Sequence, residues 1–279
     1  MMKIFKSLGK GISGFFKDEC FYLAAILSYF LIVSLVPFSL LVITLFGYIL
    51  GESNELYQFT LSRLMNAFPS VTEGITIELR NIITYRGISM ATLIIYSLLS
   101  VSLFYSIEHA MNIIFKVPKK RHFLLSLFWI IFVATVLIAF LFISFTLSSI
   151  AGILRRYHMV ILGIEVGYKA GIFIKYIAPF LLVLGVFTTI YTVMPRVKVR
   201  LKDAFMGALF VTILWEFAKH IFTWYVKNVI HFGTIYGSLS TFILFLLWMY
   251  YLSCIFLLGG EFVNNLRTGD NARAYKKRG

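Results

Sequence analysis

The order of apolar and polar positions divides the chain into six long apolar runs separated by polar loops. The runs cover residues 21–50, 88–115, 123–153, 171–194, 204–226 and 236–262. A helix needs about 20 apolar residues to cross a hydrocarbon layer about 30 Å thick, so each run is long enough to span a membrane. Stretches such as LLSLFWIIFVATVLIAFLFISFTL are continuously apolar, whereas the strands of a membrane barrel alternate in polarity. The pattern predicts an all-α, polytopic membrane protein with six transmembrane helices.

Two segments outside the runs are amphipathic. In residues 1–20, apolar side chains recur at helical spacing between lysines, which predicts a basic helix on the inner leaflet, although Gly9, Gly11 and Gly14 lower its helix propensity. Residues 51–87 predict two amphipathic helices in the first outer loop, broken at Pro69. The chain thus divides into a basic amphipathic segment 1–20, a six-helix transmembrane domain 21–266 and a basic tail 267–279.

The basic residues are distributed unevenly between the loops. The chain has a net charge of +14. Its residues are 60% hydrophobic, which is well above the roughly 45–50% apolar content of soluble domains. The N-terminal segment, the second and fourth loops and the tail hold 17 lysines and arginines, and the remaining loops hold 7. Cytoplasmic loops carry the excess of these residues, so both termini are predicted to be cytoplasmic. Membrane lipids, with anionic headgroups at the cytoplasmic face, are then the expected partners, and nucleic acid is not.

Three ionisable side chains lie inside the fifth run, in the stretch ILWEFAKHIF. Glu216, Lys219 and His220 have the helical spacing i, i+3 and i+4, so Glu216 can meet either basic side chain on one face. Ionisable residues at this depth are costly and commonly mark a functional path. Two interpretations follow: a midplane site for a substrate or proton, or a self-neutralised pair that locks the fifth helix against its neighbours.

Two further carboxylates lie near the predicted cytoplasmic ends of the second and sixth runs. Glu108 precedes the lysines of the second loop, and Glu261 shortly precedes Arg267. Long polar side chains near helix ends can reach towards the headgroups. These carboxylates either pair with nearby lysines or arginines, or continue a polar path from Glu216 towards the cytoplasm.

Other positions inside the runs predict how the helices pack. Pro37 and Pro179 interrupt the first and fourth runs and predict helix kinks. Trp215 and Trp248 lie halfway along the fifth and sixth runs, far from the headgroups, which predicts that they pack between these two helices. Small residues that permit close helix approach are Ala204, Ala208, Gly259 and Gly260.

Enzymatic signatures are absent from the sequence. It contains no HExxH, no GxSxG and no GxxxxGK[ST] motif, which would indicate zinc hydrolysis, a nucleophile elbow and a phosphate-binding loop. The two cysteines, Cys20 and Cys254, have no companion at metal-site spacing. The sequence predicts a protein that is not an enzyme and has no metal and no cofactor.

Three stretches together resemble the YihY/BrkB family of bacterial inner-membrane proteins. They are LAAILSYFLIVSLVPFSLLVI, MPRVKVRLKDAFMGALFVTILWEFAKHIFTWYV and YGSLSTFILFLLWMYYLSCIFLLGGEFVNNL. The resemblance covers residues 20–266 and implies a six-helix, multi-pass protein of the bacterial inner membrane. Relatives commonly have Gly-Ala-Glu where this chain has Gly259, Gly260 and Glu261. An old label for the family is ribonuclease. The lack of a metal cluster and of a soluble domain in this sequence disfavours that label. The family's association with virulence and envelope lipid handling implies a permease or lipid translocator.

Two functions are compatible with these features. In the first, the protein transports an envelope lipid or another amphipathic substrate, using Glu216, Lys219 and His220 as a midplane site that Glu108 and Glu261 continue inward. In the second, it is a membrane scaffold for envelope assembly in which the charges only hold helices together. Homo-oligomers are compatible with both.

The predicted topology can be tested by cysteine labelling. Because both termini are predicted to be cytoplasmic, Ser53→Cys and Ser238→Cys should react from outside with an impermeant thiol reagent, and Ser13→Cys should not. Labelling of Ser13→Cys in intact cells would reverse the assignment.

Overall fold

Seven helices make up nearly all of the chain that the structure, a computed structural model, describes. The described residues are 2–50, 90–117, 123–156, 160–161, 164–165, 177–228 and 240–276. The helices are α1 Met2–Lys17, α2 Cys20–Leu50, α3 Met90–Ile114, α4 Phe123–Arg156, α5 Ala178–Val193, α6 Leu201–Asn228 and α7 Ser240–Lys276. Two short strands, β1 Val160–Ile161 and β2 Ile164–Glu165, pair antiparallel with Val160 opposite Glu165.

The six apolar runs correspond to helices α2 to α7, so the helical class is confirmed. A continuous apolar segment favours a helix because a helix satisfies its backbone polar groups internally. Within the described residues, three helices are long and apolar enough to cross a membrane, over Leu125–Ser144, Leu201–Tyr225 and Phe242–Gly269. A fourth crossing is added if α1 and α2, bent by 77°, form one span. The six-span arrangement and the side of the termini stay predictions, and the two helices predicted in 51–87 lie outside the described residues.

Helix α7 lies at the centre of the bundle and packs against α1, α2, α3 and α6. Its Gly259 allows the closest approach, because a Cβ there would collide with Val211 Cγ2 of α6 and Tyr191 Oη of α5. Tyr191 is fully buried, and its hydroxyl donates a 2.6 Å hydrogen bond to the carbonyl oxygen of Phe256. The two rings stack with their centroids 5.3 Å apart. One turn of α7 therefore contacts both the Val211 side chain of α6 and the Tyr191 ring of α5.

The close approach predicted for small residues is confirmed on α6. Ala204 and Ala208 are fully buried, and a Cβ on Gly207 would collide with Val263 Cγ2 of α7. The two tryptophans also lie between these helices, as predicted: the rings of Trp215 and Trp248 meet edge to face at 6.5 Å. Trp248 is fully buried.

Helix α1 forms in spite of its glycines, and its packing shows why. A Cβ on Gly11 would lie 3.4 Å from the backbone nitrogen of Phe262, and one on Gly14 would lie 2.5 Å from Glu261 Oε2. Each glycine lowers the helix propensity of α1 by about 1 kcal/mol. In return, Gly11 and Gly14 allow α1 to contact α7 directly. At the other end of the chain, α7 continues to Lys276, so residues 267–276 of the predicted tail extend the last helix.

The two prolines occupy different positions in their helices. Pro37 lies inside α2, which continues on both sides of it. Pro179 lies in the first turn of α5, where a helix requires no N–H donor and proline is favoured. Residues 171–176, the start of the fourth apolar run, lie outside the described residues, so the kink at Pro179 stays a prediction.

Two glycines of α7 give a matched test of the central packing. Gly259→Ala should lower the free energy of unfolding by about 1–3 kcal/mol, since the added methyl overpacks the contact with α6 and α5. Gly269→Ala should be neutral or stabilising by up to about 1 kcal/mol, because nothing lies within 4 Å of its Cβ. Thermal unfolding in detergent measures both variants, and equal effects would contradict the assigned contact.

Candidate functional site

The predicted pair in the middle of α6 is formed. Lys219 Nζ lies 2.9 Å from both carboxylate oxygens of Glu216, at the spacing i, i+3. The Lys219 side chain is 26% exposed and the Glu216 side chain is 41% exposed. The pair is thus neutral as a unit and stands at the edge of the helix bundle.

The surroundings of this pair are amphipathic. His220 is exposed beside it, and Thr212 and Thr223 extend the polar line along α6, each donating its hydroxyl to the carbonyl four residues earlier. Next to this line runs an exposed apolar strip formed by Ile213, Phe217, Ile221 and Trp224. Glu216 stands about 22 Å along the axis from the start of α6, at a rise of about 1.5 Å per residue. The charged pair is therefore near the middle of a membrane-length helix.

Glu108 belongs to a separate network near the start of α6. Its Oε1 accepts a 2.9 Å hydrogen bond from Arg196 Nε and a 3.1 Å bond from the Ser126 hydroxyl. Arg196 Nη2 donates to the same hydroxyl oxygen at 3.2 Å, and its backbone N–H donates to Asn112 Oδ1 at 3.1 Å. Only 2% of the Glu108 side chain and 15% of Arg196 are exposed. This network joins α3, α4 and the segment between α5 and α6.

Glu261 lies in a third place, where α7 meets the junction of α1 and α2. It is 2% exposed, and the charged groups around it include Asp18 and Lys116. One turn further along α7, Asn264 Nδ2 donates a 2.8 Å hydrogen bond to the carbonyl oxygen of Ile114, which satisfies an acceptor left open at the end of α3. The predicted neighbour Arg267 instead lies over the Phe115 ring, with its guanidinium carbon 5.5 Å from the ring centroid.

The five predicted residues therefore occupy distinct regions. Glu216, Lys219 and His220 lie together on α6, whereas Glu108 is held by Arg196, five residues before α6 begins. The axial distance from the start of α6 to Glu216, about 22 Å, is too long for side chains to bridge. The path from Glu216 through Glu108 and Glu261 is a hypothesis that needs intervening groups.

Two important side chains were missed by the sequence pattern. Arg196 was counted only among the cytoplasmic basic residues, and Asp18 was given no role. The spacing of Glu108 and Asn112, one helical turn apart, is a signal that a polar face of α3 needed a partner. Nothing in the local sequence indicated that this partner would be Arg196.

The described residues offer no metal site. No group of three or more histidine, cysteine, aspartate or glutamate side chains among them is placed to hold a metal ion. Cys20 and Cys254 are free thiols.

Comparison with known proteins identifies the family. The model of the family described as Virulence factor BrkB matches residues 12–278. The chain belongs to this family. The resemblance seen in the sequence is thus confirmed over nearly the whole chain.

Two similar proteins are named as UPF0761 membrane proteins. The UPF0761 membrane protein of Legionella pneumophila (strain Philadelphia 1) is 29% identical over 256 residues, which cover 90% of this chain and 59% of the relative. That of Coxiella burnetii (strain Dugway 5J108-111) is 28% identical over 263 residues, 91% of both chains. The chain therefore spans well under two thirds of the Legionella protein. No solved structure matches the chain.

The Glu108 network gives a stability prediction. Arg196→Gln should destabilise the protein by about 3–5 kcal/mol, because it leaves a buried carboxylate without its cation, and Glu108→Leu combined with Arg196→Met should recover most of this loss. Lys198→Gln, at an exposed lysine two residues away, should stay within about 0.5 kcal/mol of wild type. Detergent melting curves of the four proteins test this, and a double variant no more stable than Arg196→Gln would refute the pairing.

Proposed function

We propose that this protein is a transporter that moves an envelope lipid or another amphipathic molecule across the bacterial inner membrane. The observation that carries the proposal is the Glu216–Lys219 pair, half-exposed in the middle of an apolar, membrane-length helix. An ionised side chain facing hydrocarbon is expensive. Its exposure at this depth is best explained if the surface meets water or a polar substrate group during function.

The chemistry of this surface matches an amphipathic substrate. The ammonium of Lys219 can bind a phosphate or carboxylate, and Glu216 can bind an amine, once a substrate separates the pair. The apolar strip of Ile213, Phe217, Ile221 and Trp224 is exposed beside the charges and would accompany acyl chains. His220, exposed next to Lys219, adds an imidazole that can donate or accept a hydrogen bond.

The proposal includes the topology and partners predicted from the sequence. Six spans with both termini in the cytoplasm would place the Glu108–Arg196 network at the cytoplasmic end of the bundle and the basic segments among anionic headgroups. No enzymatic step is part of this proposal.

The second candidate is a membrane scaffold for envelope assembly. It is favoured by one observation: Lys219 contacts both oxygens of Glu216, so the pair neutralises itself without any substrate. A scaffold needs only this neutrality and the lipid contacts of its basic loops.

Removal of the pair distinguishes the two functions. The variant Glu216→Gln with Lys219→Met should fold with near wild-type stability, because it leaves no unpaired charge, yet it should lose most of its lipid translocation. The measurement is scrambling or uptake of a fluorescent phospholipid in proteoliposomes, beside thermal stability. Lys202→Met, which removes an exposed lysine in the first turn of the same helix, is the control and should remain active. A stable and fully active double variant would leave the scaffold as the better explanation.

A further inference from the structure

A third polar cluster lies where the bend between α1 and α2 meets α7, and of its residues only Glu261 belongs to the polar path predicted from the sequence. We call it the elbow cluster; it consists of Asp18, Glu261 and Lys116. Both residues lie against Gly14: the Asp18 N–H donates to the Gly14 carbonyl oxygen, and Glu261 Oε2 lies 2.5 Å from the position of the missing Gly14 Cβ, so that the two carboxyl groups are neighbours. Lys116 Nζ lies 3.6 Å from Asp18 Oδ2.

The cluster holds more buried negative than positive groups. Glu261 is 2% exposed, and its Oε2 fills the space where Gly14 lacks a side chain. Its Oε1 is buried without a hydrogen-bond donor among the described residues, and Asp18 Oδ2 is buried with only the ion pair to Lys116. The Lys116 side chain is 62% exposed, so its charge is largely screened by solvent. The Cys20 thiol, beside both carboxyls, brings no positive charge.

Two carboxylates in contact cannot both remain ionised without a compensating positive charge. A buried carboxylate oxygen without a donor is costly, and a proton between the two carboxyls removes both costs, since a protonated carboxyl donates one hydrogen bond. The described residues provide no third ligand that would favour a metal ion. We propose that Glu261 holds a proton and donates it in a hydrogen bond to Asp18, which makes this pair a proton-binding site at the elbow between α1 and α2.

The backbone around this site is sharply bent and includes two residues with unusual φ angles. Helices α1 and α2 meet at 77°, and the residue after Asp18, Glu19, has φ 50°, while Lys116 has φ 53°. Side-chain-bearing residues rarely adopt this conformation, and it persists only where the surrounding structure holds it. Asp18 N–H also donates a 2.8 Å bond to the Gly14 carbonyl oxygen, which ties the carboxyl to the last turn of α1. Loss of the proton would place two negative charges against each other at this contact and push α1 away from α7.

The consequence for transport rests on the proposed function, but proton binding itself does not. If the protein is a transporter, binding and release of this proton would move α1 relative to α7. A proton gradient across the membrane could then drive a conformational change of the helix bundle. If it is a scaffold, the same site would make the elbow sensitive to cytoplasmic pH.

Infrared difference spectroscopy tests proton binding without any transport assay. Purified protein in lipid nanodiscs is titrated upward from about pH 6, where exposed carboxyl groups are already ionised, while the stretching band of protonated carboxyl groups is followed. The wild type should show one carboxyl band that disappears on alkalinisation, Glu261→Gln should lack it, and Asp18→Asn should change the pH at which it disappears. Glu19→Gln, which neutralises an exposed carboxylate on the same elbow, should leave the band as in wild type. A band that is absent in wild type, or unchanged in Glu261→Gln, overturns the proposal.

Thermal stability gives a second readout with a defined sign. The free energy of unfolding of the wild type should fall as the pH rises and this proton is lost. The glutamine of Glu261→Gln is permanently neutral, so this variant should lack that pH dependence. Repeating the titration with sodium replaced by choline separates the proton from a bound cation. Stability that follows sodium concentration and not pH would overturn the assignment of a proton.

Discussion

The close contact of α7 with its neighbours is the constraint on which the rest of the structure depends. Gly259 allows α6 and the Tyr191 ring to approach the same turn, and Gly14 allows the Glu261 side chain to lie between α1 and α7. In a membrane there is little hydrophobic drive between helices, so association depends on close packing and interhelical hydrogen bonds. The Tyr191 hydroxyl bonded to the Phe256 carbonyl oxygen is such a bond.

The structure contains two kinds of charged group. Glu108 and Glu261 are buried in contacts between elements, where leaving a partner unpaired is far more destabilising than losing a surface ion pair. Glu216 and Lys219 are paired within one helix and remain partly exposed, so they contribute little to holding helices together. The groups that cost the most to disturb are therefore those nearest to the predicted cytoplasmic end, and the pair in the middle of α6 is freer to rearrange.

Local patterns predicted the helices well because each depends on neighbouring residues. The apolar runs, the Glu216–Lys219 spacing and the small residues of α6 are all properties of one segment, and each was confirmed in the helices or contacts described. Helix α1 shows the opposite case: its glycines argued against a helix, and contact with α7 outweighed their low propensity. Nothing in the sequence around these glycines indicated that they contact α7.

The sequence by itself determined the helical membrane class, the family and the pairing inside α6, because a continuous apolar run can satisfy its backbone in a membrane only as a helix and because one helical turn places residues three or four apart on the same face. Only the tertiary structure decided that Arg196 pairs with Glu108, 88 residues earlier, and that Asp18 meets Glu261. Neither pair has a local signature, since the residues become neighbours only when separate helices pack. The sequence shows that Arg196 is positively charged. How much that charge stabilises the protein depends on whether a buried carboxylate lies within reach, which only the packed structure shows.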